Sequence, residues 1–179
     1  GYTLTVRSTD EQVMVSVLGN GQQAVTLNML NISYVAEPEE QTLTTINVDR
    51  AHSTAAIFGD ITSVVDGKEY TYARFPNSED ISLVYSFVKP VAVSSITIKS
   101  VGETRSIKKA TIYLSVNSAT GPWMKWIEYS LDTQPTEEMK FINTPSVASY
   151  MKLVVNENFG ASTTVINSLQ VHYVAEAGT

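Results

Sequence analysis

Apolar and polar residues alternate along most of this chain with the period of two that a half-buried β-strand imposes. Residues 3–6, 13–18 and 24–35 are rich in Val, Ile, Leu, Thr and Tyr, which suit a pleated surface. Gly19-Asn20-Gly21 supplies a hairpin turn between the second and third runs. Within the third run the alternation of Leu27 and Met29 slips to Leu30, Ile32 and Tyr34, which predicts a bulge or a change of face. Further strands are predicted at 44–48, 82–87, 93–100, 109–116, 124–129, 140–143, 150–156 and 164–174. Asp66-Gly67, Pro76-Asn77, Lys89-Pro90, Val101-Gly102, Gly121-Pro122, Thr144-Pro145 and Phe159-Gly160 are the turn signals that separate them. Residues 51–61 are the least strand-like and read as irregular chain or a single helical turn. Many short strands and no amphipathic helical pattern predict an all-β protein, an antiparallel sandwich or barrel.

Glu37-Pro38-Glu39-Glu40 breaks the pattern with charge and proline and is the predicted domain boundary. Residues 37–179 then form the sandwich, and residues 1–36 a β extension. An internal echo bears on that extension. Residues 27–37 match residues 166–176 at Asn28/Asn167, Leu30/Leu169, Tyr34/Tyr173, Val35/Val174, Ala36/Ala175 and Glu37/Glu176. Residues 1–36 are therefore either the tail of a preceding repeat in a tandem array or strands that share a β pattern with the end of the domain. Thirty-six residues cannot build a second sandwich of their own.

Composition narrows the function classes. At 179 residues with a 43% hydrophobic content, the chain can bury one full core and is not wholly disordered. Twelve basic against eighteen acidic residues give a formal charge of −6, without the basic stripe that phosphate neutralisation needs. Nucleic acid is thus excluded as the expected partner. No apolar run is long enough to span a bilayer, so membrane insertion is not expected. Cysteine is absent, which removes disulfides and thiolate metal sites. The chain opens on Gly1-Tyr2 with no signal-peptide pattern, which reads as a trimmed N-terminus.

From about residue 37 onward the chain resembles the discoidin-like domains, that is, the coagulation factor 5/8 type C and family 32 carbohydrate-binding modules of galactose-binding-like fold. Four segments carry the resemblance: DGKEYTYARF within 63–74, the strand pair at 81–99, ATIYLSVNSATGPWMKW at 110–126, and SYMKLVVNENFG…INSLQVHY at 149–173. The resemblance implies a jelly-roll β-sandwich that binds a ligand with loops at one end and has no catalytic role. It also implies a structural Ca²⁺ held by the aspartate of the DG turn, Asp66, and by a glutamate near the last strand. Here Lys68 follows the glycine and Ser168 stands where that glutamate would be. Calcium needs several oxygens and negative charge, so the site reads as degraded, with Asp66 as a turn-former. Among the family's aromatic positions Tyr72 replaces a tryptophan. Trp123 corresponds to a structural tryptophan expected to pack the sandwich edge. Trp126, three residues on, falls on the opposite pleat and is expected to face solvent.

Candidate chemistry follows the same division. Catalysis would need His52 or His172, but His172 sits in an alternating strand and reads as solvent-facing. Glu39/Glu40 and Glu137/Glu138 lie in turn-like stretches and are expected to be solvated. A sugar site needs an aromatic face for a pyranose ring and planar donors or acceptors for its hydroxyls. Arg105, in the loop GETRSIKK, resembles the loop arginine of galactose-type modules, and its guanidinium fork suits vicinal hydroxyls. Phe159, flanked by Asn156 and Asn158, is the candidate platform. Tyr70 and Glu69 of the DGKEY turn, with His52, complete the expected ligand set. The implied protein is a carbohydrate-binding module of an exported glycan-processing or surface protein. The competing class is a protein-interaction or adhesion module of the same fold.

Overall fold

The structure, a computed structural model, describes residues 3–8, 13–18, 39–51, 57–68, 70–77 and 80–175. It divides into two compact units, residues 1–37 and 38–179. In the first, β1 (Thr3–Ser8) pairs antiparallel with β2 (Val13–Leu18). The turn at 19–21 and the strand expected at 24–35 lie outside the described residues.

The second unit is built from β3 (Gln41–Thr42), β4 (Ile46–Arg50), β5 (Ala73–Pro76), β6 (Ile81–Lys99), β7 (Ile107–Ser115), β8 (Met124–Ser130), β9 (Met139–Asn158), β10 (Thr163–Ile166) and β11 (Ser168–Val174). One sheet runs β3-β11-β6-β9-β7-β8, with β4 also paired to β6, and β5 pairs with β10 in a second. Two 3₁₀ turns, Ile61–Val65 and Glu103–Arg105, are the helical segments among the described residues. This is the expected all-β antiparallel sandwich.

Two long strands turn the large sheet into layers. Lys89-Pro90 and Thr144-Pro145 are not the loops predicted from their sequence. Both lie inside continuous strands, β6 and β9, which pair with each other along nearly their whole length. Between the pairs Ser86↔Tyr150 and Val91↔Ala148, residues 87–90 of β6 face Ser149 alone. Between Val93↔Ser146 and Ser95↔Ile142, residues 143–145 of β9 face Ser94 alone. Proline cannot donate to a ladder, and a bulge is where a strand tolerates it. On one side of this corner β6 pairs with β4, and on the other with β11.

The two halves face each other across one core. Leu83, Tyr85, Phe87, Met151 and Leu153 come from one side of the corner, and Val91, Val93, Ile96 and Ile98 from the other. Ala110, Ile112 and Leu114 of β7 complete the cluster. Tyr129 of β8 stacks on Phe141 of β9 at 4.2 Å between ring centroids and closes the sandwich on that flank.

Two side chains expected to face solvent are inside. Trp126 is buried, and its indole N–H donates to the Thr144 carbonyl at 3.1 Å. The β7–β8 register shifts between Ile112↔Ile127 and Tyr113↔Lys125, so a bulge reverses the pleat at Trp126. Trp123 is half-buried under the Lys152 ammonium at 4.9 Å. His172 is also buried. A second register shift, between His172 and Tyr173, accompanies its inward turn.

Candidate functional site

Three of the expected ligand residues, Arg105, Asn158 and Phe159, lie where the 100–107 and 159–163 connections meet. The first of these connections is tied down from several sides. The Ser100 hydroxyl donates to the Val165 carbonyl at 2.6 Å and accepts the Ile107 amide at 2.9 Å. The Asn167 side-chain oxygen accepts the Val101 amide at 2.8 Å, and the Phe159 amide donates to the Thr104 carbonyl at 3.1 Å. Gly102 is seated so closely that a Cβ there would lie 2.5 Å from Val165 Cγ1. Glu103 adopts φ 57°, a left-handed conformation uncommon for a residue with a side chain. Such bracing holds the exposed Arg105 in place without further packing of its own.

Arg105 opens onto a depression of about 270 Å³. Val101 and Val165 contribute its apolar part, with Tyr72, Arg74, Glu103 and Asn167 around them. Tyr72 is 47% exposed. Arg74 precedes Phe75 on β5, and the alternation of that strand sends Ala73 and Phe75 into the core and Arg74 outward. The Arg74 guanidinium lies 4.7 Å from the ring centroid of Phe58, whose backbone pairs with Arg74 in both directions. Gly59 makes that approach possible: it has φ 88°, and a Cβ there would stand 2.8 Å from the Tyr72 carbonyl oxygen. The depression thus combines an aromatic ring, two planar cations, a carboxylate and an amide, the set a polyhydroxylated ring requires.

The remaining expected residues are placed differently. Phe159 is half-buried with Lys108 Nζ 5.8 Å from its ring centroid, and it does not line the Arg105 depression. Asn158 is buried. Its amide donates to the carbonyls of Ala161 and Thr163 and to the Thr164 hydroxyl, and its oxygen accepts the Gly160 amide. With its donors engaged in this way, Asn158 shapes the loop. Asn156 is exposed, accepts from the Thr111 hydroxyl at 2.8 Å, and lines a separate polar hollow with Asn77, Asp80 and Glu157. Tyr70 is 80% exposed beside the Asp66 turn. Glu69 and His52 lie outside the described residues. Tyr72, Arg74, Glu103 and Asn167 were not singled out as ligand residues from sequence. The outward period of two in Tyr72-Ala73-Arg74-Phe75 was the available signal.

Asp66 and Ser168 do share a hollow, of about 230 Å³, beside β11. The Thr71 hydroxyl donates to the Asp66 carboxylate at 2.8 and 2.9 Å, and the Lys68 amide donates to it at 2.8 Å. Both oxygens are therefore engaged in closing the turn. Among the described residues no group of three or more His, Asp or Glu side chains could hold a metal ion. One carboxylate bonded to its own turn, with a serine opposite, does not fit a Ca²⁺ coordination shell.

A polar cluster where the start of the second unit meets β6, β9 and β11 was not foreseen. The Glu40 carboxylate accepts from the Ser94 and Ser95 hydroxyls at 2.6 and 2.7 Å and from Lys140 Nζ at 2.6 Å. It is not the solvated turn residue expected. Partial burial pushes this carboxyl up, but the hydrogen bonds from Lys140, Ser94 and Ser95 and the lysine charge outweigh it and bring the group to about 2. His172 bonds through its two ring nitrogens to the hydroxyls of Thr42 and Thr97, each at 2.7 Å. Burial lowers its pKa, as does the Lys140 charge, against the opposing pull of Glu40 and Glu138. With Ser94 and Ser95 bonded to Glu40 and the imidazole bonded to threonines, this cluster contains no serine–histidine pair of the kind nucleophilic catalysis needs.

The strand order and the loop-end depression are those of a galactose-binding-like β-sandwich fold. Within that fold, residues 69–174 match the Sad1/UNC-like C-terminal family, and the chain belongs to it. Its structure is similar to the family 32 CBM of Clostridium perfringens NanJ, solved in complex with galactose (19% identity, TM-score 0.60, covering 75% of this chain and 99% of that one). It is also similar to CpGH89CBM32-5 from Clostridium perfringens, solved with GalNAc-β-1,3-galactose (18% identity, TM-score 0.59, 73% and 99%). A third similar structure is the C-terminal domain of a chitobiase from Bacteroides fragilis (17% identity, TM-score 0.55, 76% and 95%). A comparison with curated proteins finds no match. At these identities the likeness is one of fold, and it agrees with the discoidin-like resemblance read from the sequence. No helix among the described residues is long and apolar enough to cross a membrane.

Proposed function

We propose that the 38–179 sandwich is a non-catalytic carbohydrate-binding module that recognises a sugar in the Arg105 depression, as an accessory part of an exported or surface protein. The observation that carries this reading is the convergence of Tyr72, Arg74, Glu103, Arg105 and Asn167 on one hollow held by braced backbone. Support comes from the similar modules, two of which were solved with galactose or a galactose-containing disaccharide. A volume of about 270 Å³ is just below the roughly 300–1,000 Å³ of drug-sized sites, so it suits one ring. Such a shallow contact supports a Kd of about mM to µM, and repetition or tethering would supply avidity.

Glycan-array screening followed by affinity electrophoresis tests the proposal. Arg105→Ala is expected to weaken retardation about tenfold or more, in line with the roughly 1.5–3 kcal/mol of a hydrogen bond to a charged group. Its melting temperature should stay unchanged, because Arg105 is exposed and its side chain makes no hydrogen bond among the described residues. Silence across glycans, with capture of a protein partner unaffected by the substitution, would favour the adhesion reading instead.

A further inference from the structure

We infer that the ligand of the Arg105 depression carries a carboxylate, as a uronic or sialic acid does. This rests on the carbohydrate reading above and sharpens it. Two guanidinium groups, Arg74 and Arg105, line one hollow on a chain whose formal charge is −6. Among the described residues neither is ion-paired. The ion pairs there join Lys108 and Lys109 to Glu157, Lys125 to Glu128, and Lys140 to Glu40. Among the described residues Glu103 is the one carboxylate of the hollow's lining, against two guanidinium groups.

Arg74 is the more telling of the two. One face of its guanidinium is covered by Phe58, and its Nε is shielded from water with no hydrogen-bond acceptor among the described residues. Stacking on a ring fixes the plane of a guanidinium and leaves its terminal Nη edge for a planar, bidentate partner. A neutral hydroxyl uses one such donor and leaves the charge uncompensated. A carboxylate takes two donors and neutralises the charge. One arginine suffices to grip vicinal hydroxyls; a second, unpaired and pre-oriented, is what an acidic substituent on the same ring would use. Glu103 and Asn167 remain to accept from the ring's hydroxyls.

Isothermal titration of the full chain with methyl galactoside, methyl galacturonide and methyl sialoside tests this. The first two probes differ only in a hydroxymethyl group against a carboxylate, and the third distinguishes the two sources of the acid. At least one acidic sugar is expected to bind about tenfold or more tighter than the galactoside. That preference should shrink in about 0.5 M salt, where charges are screened over a few Å. Arg105→Gln, at an exposed position, and Arg74→Met are each expected to remove most of it. Galactoside binding as tight as that of both acids would overturn the inference and leave the carbohydrate reading standing. An acid preference untouched by Arg105→Gln, or insensitive to salt, would also overturn it. Absence of binding to all three sugars and to a glycan array, in folded protein, would remove the carbohydrate reading and this inference together.

Discussion

Tyr85 and Tyr129 carry their hydroxyls into the core, and neither oxygen finds a partner among the described residues. Burial pushes both phenols well up, for Tyr85 with the nearby Tyr129 adding to the shift. A buried hydroxyl without a partner costs about 1–3 kcal/mol relative to its hydrated state. Tyr85→Phe is therefore expected to stabilise the domain by about 1 kcal/mol, read as a higher midpoint in urea with an unchanged slope. His172 gives a second prediction, with a definite sign. Its folded-state pKa lies below the ordinary 6.5, so between those values the unfolded chain binds the extra proton and the folded chain does not. Stability should fall as pH drops through about 6.5 toward the folded pKa. His172→Gln should flatten the stability curve across that interval. His172 could not be read correctly from alternation alone, because the register shift beside it sets which face it joins. The exposed loop position of Arg105 was legible, because turn chemistry is a local property. The saturated hydrogen bonding of Asn158 was not, since Thr163 and Thr164 become its partners only when the 158–164 loop closes.

At the scale of elements, the existence of β7 and β8 was legible from their alternation, but the facing of their residues was misread where a bulge interrupts the pairing, as at Trp126. A Lys-Pro or Thr-Pro pair looks the same in a turn and in a bulge. Pairing with the neighbouring strand separates the two, and that pairing joins residues 81–99 to 139–158. The same limit hid β5, a strand of four residues whose ladder partner β10 lies far along the chain. Conversely, the strand expected at 164–174 breaks at Asn167, whose backbone N–H donates to the Lys99 carbonyl at 2.9 Å while its side chain braces Val101. The Glu103–Arg105 turn supplies the test at this scale. Gly102→Ala would drive a methyl into Val165 Cγ1, 2.5 Å away. A loss of about 1–3 kcal/mol, the usual range for overpacking, is expected in thermal unfolding. Sugar affinity should fall with it, because the Arg105 turn must move. Asn158→Ala should cost about 1–3 kcal/mol through buried backbone groups left unpaired, with any loss of binding following loop disorder rather than a lost contact.

Across the whole domain, one core spans both sides of the corner in β6 and β9, so a cavity on either side weakens the entire sandwich. Leu153→Ala, at a fully buried position on β9, is expected to cost about 2–5 kcal/mol in a single cooperative transition. Acid acts on the same scale through Glu40, which ties the start of the second unit to β6 and β9. Its folded pKa of about 2 lies below the ordinary 4.5, so its contribution is present above pH 4.5 and is lost as pH falls through that interval. Glu40→Gln should remove that part of the acid sensitivity, measured as the pH dependence of the unfolding midpoint. The amino-acid sequence by itself determined the all-β class and the galactose-binding-like resemblance. Each of these follows from local alternation, turn chemistry or the presence or absence of a particular side chain. Only the tertiary structure decided that two proline-bearing stretches are corners of continuous strands, that Trp126 and His172 are inside, and that Tyr72 and Arg74 share a hollow with Arg105. Those outcomes depend on strand register and on contacts between residues distant along the chain, which a periodicity of two does not encode.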